Sequence, residues 1–560
     1  MEVLPVRMAE GKGSTTLTEM KRNNNDHDVE YKWMPHLRDA VPTAGQGKRI
    51  STYTVALEGW RRGLQLTFYS VFEDGNKLKV RYSLKHKNKV HHFSLSMGDK
   101  VSKEAFEICD DKDLTKQYLA KGNVPIPQGN MFDPAASDEE IVNYGLSLGF
   151  PIVVKPTDGN AGKGVFANIQ DEKSLREIVP HVRNDLNFSD IIVEKYVAGE
   201  EFRIIVVEDK VLGAMNRRPA FVTGDGVHTI RELIYQKNKE RKINPHLTSR
   251  MIKIDKEIKD LLETNDYQLN SIPDDNKVVY LRQKSNLSAG GEAEDVTEQL
   301  TPELKKIAID VGKAIPGLPH YGVDMIVSDD RSSGVILEVN SRPGLGGHLF
   351  PGKGEPRDLA KAIIDYYFPE TKDIERTDLY FDFDSVLEPV KNRTASHVNV
   401  IKPPEGQFYS RKFIVSGKFE SRHYRQYIRH EAIKRNMHGY TELTEDNKVR
   451  VMVGSNDEVE VIQFKDVCLA ENTNMAVNDI EELVFNRPIQ MGFATKEDHK
   501  LTNSEIRKVV AEHQEYKEEL ERLNKRYAQI YRSRAWRATY PVRATLHAIK
   551  QLLRKVTGRR

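Results

Sequence analysis

The sequence predicts a protein of several domains in the α+β or α/β class. Its 560 residues correspond to roughly three or four domains of ordinary size. Stretches with helical spacing of apolar residues alternate with short strand-like runs, and glycine-rich loops separate them. Hydrophobic residues at 38% and charged residues at 30% exclude a collagen-like or wholly disordered chain.

Cysteine usage and the lack of long apolar segments predict a cytoplasmic protein. Cys109 and Cys468 are the only cysteines, too few for a disulfide framework or a zinc site made of cysteines. The N-terminus lacks the pattern of a signal peptide, and no apolar run reaches about 18 residues. We therefore expect a protein that is neither secreted nor membrane-spanning.

The first 108 residues divide into two predicted parts. Residues 1–46 are polar and predict an N-terminal arm. Residues 47–108 predict a small α/β unit, because a helical pattern is followed after Gly63 by alternating strand patterns. The apolar positions of the predicted helix and its end are Val55, Leu57, Trp60 and Leu64.

Residues 109–370 form the largest predicted domain. A helix over residues 111–122 ends at a glycine, and a second helix follows over residues 138–148. The further predicted elements are strands around a glycine loop at 150–169, strands at 190–218, charged helices at 228–265, a strand at 278–283, a helix at 301–314 and a strand pair at 321–340.

The last third of the chain predicts a linker, a second compact domain and a tail. Composition loosens over residues 371–408, which is typical of a linker. Residues 409–480 contain strand, helix, strand, strand and helix patterns, which predict an αβ sandwich. Residues 500–560 predict a helical tail with a basic end. Within it, residues 521–560 carry 12 Lys or Arg and one acidic residue, a net charge of +11 in a chain of net charge +2.

The basic tail has three candidate partners. Its apolar residues share one helical face, as in amphipathic helices that lie on anionic membranes, which would place the protein at the inner face of the membrane. Packing on a protein partner or on this chain is an equal alternative. Nucleic acid ranks third, and we expect none, because no nucleic-acid motif accompanies the charge. The apolar residues are Leu546, Ile549, Leu552 and Leu553.

Lys155 ends an apolar strand and precedes a glycine-rich loop. The loop contains Gly159, Gly162, Lys163 and Gly164. A lysine beside such a loop can bind phosphate through its charge together with backbone N–H groups. The segment is not a Walker A loop, which requires GxxxxGK[ST] at the start of a helix. A turn with a surface lysine is the alternative.

Three residues with oxygen donors lie on the predicted strand pair at 321–340. Asp324 is on one strand, and Glu338 and Asn340 are on the other. If the strands are neighbours, all three point to one face, because side chains alternate with a period of two. Such hard oxygen ligands suit Mg²⁺ that bridges ATP phosphates. The alternative is a carboxylate that only caps a strand end.

Six motifs occur in order between residues 111 and 369: VVKPTDGNAGKGV, VEKYVAGEEFRIIVV, NRRPAFVTGDGVHTIRELI, YLRQKSNLSAGGEAEDVT, YGVDMIV and ILEVNSRPGLGGHLFP. Together they resemble the ATP-grasp domain of cyanophycin synthetases and of bifunctional glutathione synthetases. The resemblance implies an ATP-grasp fold for residues 109–370. The second ATP-using ligase of the former and the glutamate-cysteine ligase of the latter have no counterpart in this sequence, so we expect a different product.

The resemblance also implies functional residues. Lys112 and Lys155 match the two phosphate-binding lysines, and Glu201 matches the carboxylate that holds the ribose. The adenine-binding hinge matches Glu194, Lys195, Tyr196 and Val197. Basic positions near the phosphates, which we predict to be catalytic, match Arg203, Arg217 and Arg282. The acceptor side would include Asn286, Ser288, Gly290 and Arg342.

The activity that the resemblance implies is an ATP-dependent carboxylate-amine ligase using ATP with Mg²⁺ or Mn²⁺. A small-molecule carboxylate would take the γ-phosphate of ATP to give an acylphosphate, and a small-molecule amine would displace phosphate to form an amide. An amino acid, a peptide or an envelope component would be the substrate, and the family implies a homo-oligomer. Two alternatives remain: a non-catalytic or regulatory nucleotide-binding protein, and an acylphosphate hydrolase acting through residues 410–470.

The second compact domain contains RKFIVSGKFESRHYRQYIRHEAIKRNMHGY, which resembles the acylphosphatase fold, a ferredoxin-like αβ sandwich. Arg425 matches the phosphate-binding arginine of that family. Glu420 adds a negative charge to the phosphate loop, and Leu443 replaces the asparagine that orients water. Because a carboxylate opposes phosphate binding and a leucine cannot hydrogen-bond water, we expect a binding or assembly module.

Overall fold

A computed structural model describes residues 33–73, 76–157, 164–444, 446–469 and 475–496, together with residue 522. The helices are α1 (Ile50–Arg61), α2 (Lys103–Asp110), α3 (Lys112–Lys121), α4 (Asp138–Leu148), α5 (Glu172–Pro180), α6 (Ile230–Ile243), α7 (Lys256–Thr264), α8 (Pro302–Ala314), α9 (Gly346–Leu349), α10 (Leu359–Tyr367), α11 (Phe383–Lys391), α12 (Ser421–Lys434) and α13 (Glu458–Leu469).

The first fifteen strands are β1 (Gln65–Glu73), β2 (Lys77–His86), β3 (Lys89–Ser94), β4 (Met97–Gly98), β5 (Gly129–Phe132), β6 (Ile152–Pro156), β7 (Phe166–Ile169), β8 (Ile191–Lys195), β9 (Glu200–Val207), β10 (Lys210–Arg218), β11 (Phe221–Thr223), β12 (Val278–Tyr280), β13 (Glu292–Asp295), β14 (His320–Val327) and β15 (Gly334–Asn340). The later strands are β16 (Leu379–Tyr380), β17 (His397–Val400), β18 (Tyr409–Phe419), β19 (His438–Leu443), β20 (Val449–Ser455), β21 (Met475–Val484), β22 (Ile489–Gln490) and β23 (Phe493–Thr495).

The first unit packs helix α1 against an antiparallel sheet with the order β17-β1-β2-β3-β4. Every residue of α1 is buried, because the helix lies between this sheet and α10. Trp60 is fully buried, and its Nε1 donates a hydrogen bond to the carbonyl of Ile401 at 2.7 Å. Residues 33–46, predicted as part of a polar arm, also belong to this core, since Leu37 and Val41 are buried there.

The segment predicted as a linker, residues 371–408, is instead part of the first unit. It contains β16, α11 and β17, and β17 pairs antiparallel with β1 at the edge of the sheet. Phe383 of α11 is buried, with ring-centroid distances of 5.2 Å to Tyr53 and 5.4 Å to Phe68. The composition conceals this structure because the helix and strands are short and are separated by polar turns.

The middle of the chain contains two larger antiparallel sheets and the two-stranded antiparallel sheet β11-β12. Of the larger sheets, one has the order β5-β8-β6-β7, and the other has the order β13-β10-β9-β14-β15. One face of β9 is apolar and packs with α8 through Phe202 and Ile204 in a shared core. Because side chains alternate along a strand, Glu201 and Arg203 lie on the opposite face of the sheet. The hydrophobic core therefore directs these charged groups to one side.

Residues 409–495 form a ferredoxin-like sandwich, as predicted. The sheet has the order β21-β18-β20-β19-β23, and α12 and α13 pack on one face of it. Phe413 and Val451 of the sheet share a core with Tyr424 and Phe464 of the helices. The last strand ends at Thr495, beyond the predicted boundary at residue 480, because β23 adds to the edge next to β19.

The predictions for residues 1–32 and for the basic tail fall outside the described residues. Within the described ranges, no helix has both the length and the apolar character needed to cross a bilayer.

Candidate active site

The predicted strand pair brings its oxygen donors together. β14 and β15 are adjacent and antiparallel, and Asp324 lies directly opposite Glu338. Asn340 is two residues further along β15, on the same face as Glu338. The Nδ2 atom of Asn340 is buried and has no hydrogen-bond partner among the described residues. Two carboxylates and an amide without a partner therefore share one side of the sheet.

Two arginines hold the buried carboxylate of Asp324. Arg203 lies opposite it on β9 and contacts both carboxylate oxygens, with Nη2 at 2.7 Å from Oδ2. Arg217 Nη1 on β10 lies 3.1 Å from the same Oδ2. Burial raises the pKa of Asp324, but the two guanidinium charges outweigh it, and the net pKa is lowered. Asp324 is therefore held in its ionised form.

Glu338 differs from Asp324 because its side chain reaches solvent. Partial desolvation and the nearby Asp324 carboxylate raise the pKa of Glu338, against the charges of Arg203 and Lys112. Two carboxylates at facing positions repel each other, and a divalent cation would stabilise both. The donor set of Asp324, Glu338 and Asn340 therefore fits Mg²⁺ or Mn²⁺.

A second charged cluster surrounds Glu194 on β8. Its buried carboxylate lies 2.5 Å from Lys155 Nζ of β6 and 2.5 Å from Lys116 Nζ of α3. Burial raises the pKa of Glu194, but the two lysine charges bring it below its ordinary value. The predicted hinge carboxylate thus pairs with the predicted phosphate-binding lysine.

Helix α3 connects the two clusters. Its Lys112 is close enough to influence Glu338, and its Lys116 pairs with Glu194. Residues four apart share one face of a helix, so both lysines point to the same side. Sequence reasoning missed Lys116, although its spacing from Lys112 was the signal that could have found it.

The predicted adenine hinge spans the end of β8 and the two residues that follow it. The backbone N–H of Lys195 donates to the carbonyl of Gln128 at 2.8 Å, and that of Tyr196 donates to the carbonyl of Pro151 at 3.1 Å. Neither N–H is free for a ligand. The backbone N–H of Val197 has no hydrogen-bond acceptor in the described part of the chain. Val197 is thus the hinge residue with a donor to offer.

Glu201 joins the arginine cluster. It accepts a hydrogen bond from Arg217 Nη1 at 2.8 Å and another from the hydroxyl of Ser285. Arg217 Nε is buried without a partner among the described residues, which leaves a donor in this cluster. Arg250, not predicted from the sequence, lies close to this cluster: burial and the nearby Arg217 guanidinium lower its pKa.

Arg282 is not part of this cluster. Its guanidinium pairs with Asp255 at 2.6 Å and with Glu257, and its Nε donates to the carbonyl of Ala289 at 2.9 Å. It has no hydrogen bond with Arg203, Arg217 or Asp324 in the described structure. These contacts indicate that Arg282 secures the loop at residues 286–290, which differs from the predicted place among the phosphate-binding groups.

The predicted acceptor-side residues lie in two loops. Asn286 Oδ1 accepts hydrogen bonds from the backbone N–H of Ser288 at 3.0 Å and from its hydroxyl at 2.7 Å. Gly290 ends this turn with φ of 103°, a conformation that favours glycine. Arg342, after β15, places its guanidinium 4.6 Å from the ring centroid of Phe106 in α2.

Of the residues predicted for the glycine loop, Gly164 lies within the described part of the chain. Gly159, Gly162 and Lys163 lie outside the described residues. Gly164 has a φ of 73°, and an added Cβ would lie 3.0 Å from the ring of Phe188. Glycine is therefore required where the loop rejoins β7.

In the second domain, the arginine predicted to match the phosphate-binding position makes structural contacts. Arg425 is buried in α12, and its Nη1 donates to the carbonyl of Lys496 at 2.8 Å. Glu420 pairs with His423 at 2.7 Å beside the loop, and Leu443 ends β19. The guanidinium therefore contacts the backbone after β23.

Comparisons with known proteins agree with the division of the chain into an ATP-grasp domain and an acylphosphatase-like domain. Residues 109–266 and 279–366 match the family model of the RimK-like ATP-grasp domain, and residues 411–495 match that of acylphosphatase. Cyanophycin synthetase of Trichormus variabilis is 35% identical over 329 residues, covering 57% of this chain and 35% of the relative. The glutathione biosynthesis bifunctional protein of Clostridium perfringens is 31% identical over 335 residues, covering 57% of this chain and 41% of the relative.

A solved structure, the bifunctional glutathione synthetase from Pasteurella multocida, is similar to 54% of this chain and 41% of its own, with 27% identity and a TM-score of 0.42. The chain spans less than half the length of the curated relatives described above. The predicted family resemblances are confirmed: the chain contains a RimK-like ATP-grasp domain, followed by a domain of the acylphosphatase family.

Proposed function

We propose that residues 109–366 form the active site of an ATP-dependent carboxylate-amine ligase. The observation that carries the proposal is the pair of facing carboxylates, Asp324 and Glu338, flanked by Arg203 and Arg217. A phosphoryl-transfer site needs this combination, because it must hold a divalent cation and neutralise phosphate oxygens at the same place. The relative from Trichormus variabilis is a cyanophycin synthetase, and this supports the same reaction class.

The chain supplies positioning and charge, and it needs no protein nucleophile. Lys155 and Lys116 exceed the charge of Glu194 by one, which suits a phosphate group. Val197 would donate to the adenine ring, and Asp324, Glu338 and Asn340 would hold Mg²⁺. When bound, the metal neutralises charge on the phosphate oxygens.

The reaction would proceed in two steps. A substrate carboxylate attacks the γ-phosphorus of ATP, the bond to the β-phosphate oxygen breaks, and an acylphosphate and ADP result. A substrate amine then attacks the acyl carbon, phosphate leaves, and the amine loses a proton as the amide forms. Arg203 and Arg217 would orient the transferred phosphoryl group, since arginine forks match its oxygens.

Phosphate release from Mg-ATP, measured with single amino acids and then with pairs, tests the proposal. We expect release that depends on a pair of substrates and disappears in Lys155→Ala and Glu338→Ala, with both variants folded by circular dichroism. Turnover that survives Glu338→Ala would refute the assignment of the metal site. ATP binding without any turnover across the panel would favour the regulatory alternative.

Membrane contact of the basic tail and self-association are further proposals about the whole protein. Deleting residues 525–560 should abolish co-sedimentation with anionic liposomes if the tail is an interfacial helix. Equal sedimentation before and after the deletion would exclude that role.

A further inference from the structure

A cavity of about 690 Å³ lies on the open face of the sheet of residues 409–495, away from the candidate active site. The other wall is formed by four residues of the first unit: Pro35, Arg38, Asp39 and Tyr380. No predicted residue of the candidate active site lines this cavity, and neither does Arg425 of the acylphosphatase-like loop. The two units therefore enclose a space that the proposed function does not use.

Strand alternation explains why charged side chains line this cavity. Phe413 and Val451 point towards α12 and α13 and are buried in the sandwich core. Their neighbours Lys412 and Arg450 therefore point to the opposite face, which none of the described helices covers. In a sandwich of this kind that face would normally meet water, whereas here the first unit partly closes it.

The cations in the cavity outnumber the anions. Arg450 Nη1 pairs with Glu442 at 2.8 Å, and Arg487 Nη1 pairs with Asp39 at 2.8 Å. Within each pair the positive and negative charges cancel. The other cationic side chains of the cavity have no ion pair within the described residues; they are Arg38, Lys412 and Lys496.

Two details describe the surroundings of the cationic side chains in the cavity, of which Lys496 is exposed. Arg450 Nε is buried and has no hydrogen-bond partner among the described atoms. Lys496 Nζ lies 3.5 Å from the ring centroid of Tyr440, and burial lowers the pKa of Lys496. The carboxylates of Glu442 and Asp39 act on Lys496 but are already paired with arginines, so the cavity keeps an excess of positive charge that an anionic ligand would neutralise.

We propose that this cavity binds a small molecule that carries a diphosphate group. A diphosphate presents about three negative charges, which matches the three cations without an ion pair, and its oxygens suit the arginine fork. The volume lies within the usual range for small-molecule sites, about 300 to 1,000 Å³, and leaves room for an organic part beside the diphosphate. Inorganic pyrophosphate and a nucleoside diphosphate share this chemistry.

Titration calorimetry of the full chain with inorganic pyrophosphate tests the proposal. We expect Lys412→Gln and Lys496→Gln each to weaken binding about tenfold, since each removes a charge-assisted contact. Lys434→Gln is the matched control, because it makes the same change on the exposed side of α12, across the sheet from the cavity. Binding should survive in Lys155→Ala, which separates this site from the ATP-grasp site.

A parallel titration with ADP identifies the source of the diphosphate. If Lys412→Gln weakens ADP as it weakens pyrophosphate, the ligand class includes nucleotides; if it weakens pyrophosphate alone, the cavity takes the free anion. The proposal is overturned if wild type does not bind pyrophosphate, or if Lys412→Gln, Lys496→Gln and Lys434→Gln all bind it like wild type. Citrate binding as tight as pyrophosphate would also overturn it, because the site would then not select phosphate.

Discussion

At the scale of single residues, Glu194 and Asp324 organise the candidate active site. Each is a buried carboxylate held by two cations, Lys116 and Lys155 in one case and Arg203 with Arg217 in the other. A buried carboxylate stays ionised only with such partners. Only the Asp324 cluster contains a further negative charge, that of Glu338. The Glu194 cluster therefore favours phosphate, and the Asp324 cluster favours a divalent cation.

Replacing Glu194 by Gln should destabilise the protein strongly. The amide keeps the shape but leaves two partly buried ammonium groups without a counter-charge, and we expect a loss of about 3 to 5 kcal/mol in the free energy of unfolding. Urea denaturation measures the change. Glu139→Gln, which removes an exposed carboxylate paired with Arg176, is the control and should leave the midpoint unchanged. Equal midpoints for both variants would contradict this interpretation.

His320 should make stability depend on pH. Burial lowers the pKa of this imidazole to about 4, and its Nε2 has no partner among the described residues. Between about pH 6.5 and pH 4 the unfolded chain gains a proton that the folded protein does not, so the free energy of unfolding falls as the pH falls.

The contribution of His320 to this fall is about 3 kcal/mol across the window. His320→Gln should therefore reduce the difference between urea unfolding at pH 7 and at pH 4.5. His397→Gln, at an exposed position of β17, should leave that difference as it is in wild type. An unchanged pH dependence in His320→Gln would show that the assigned proton uptake is wrong.

At the scale of elements, α11 and β17 show where composition misleads. Their segment is poor in long apolar runs, yet it closes the first sheet and buries aromatic rings against α1. A short strand contributes by pairing with a neighbour, and its sequence need not be strongly apolar. The first unit is therefore assembled from two stretches of chain that more than 260 residues separate.

Phe383→Ala should cost about 3 to 5 kcal/mol of unfolding free energy, because it removes a ring that is 1% exposed. Ile401→Ala lies in the same predicted linker but changes a side chain that is 76% exposed, so its effect should stay within about 0.5 kcal/mol. Chemical denaturation of both variants distinguishes a folded segment from a linker. Similar small effects would restore the linker interpretation.

The acylphosphatase-like element should not hydrolyse acylphosphates. Arg425 is committed to the carbonyl of Lys496, and Leu443 cannot orient water. We expect acetyl phosphate to disappear at the uncatalysed rate, with no change in Arg425→Ala, as followed by a colorimetric assay. Faster hydrolysis that depends on Arg425 would support the hydrolase alternative.

At the scale of the whole molecule, the second domain is tied back to the first unit. β22 pairs in parallel with β16, and Ile489 is buried in the same core as Leu379. Arg487 adds an ion pair to Asp39. The chain thus leaves the sandwich to contact the first unit and then returns to add β23, and this route encloses the cationic cavity.

Ile489→Asp should uncouple the two units, because it places a charge in an apolar core. Calorimetry should then show a separate transition for residues 409–496 at lower temperature, where wild type gives one combined transition. Ile462→Asp, at an exposed position of α13, is the control and should behave like wild type. A single transition at the wild-type temperature in Ile489→Asp would contradict this coupling.

The sequence by itself determined the fold class and the carboxylate pair, because these follow from periodicity and from neighbouring strands. The prediction that Asp324 and Glu338 share one face required only that their strands be adjacent and that side chains alternate with a period of two. The tertiary structure alone decided the partners of the charged groups: Lys116 beside Glu194, Arg282 directed to Asp255, and the cationic cavity between two units. Charged side chains of one type are interchangeable in sequence, and their partners depend on which distant segments the hydrophobic core brings together.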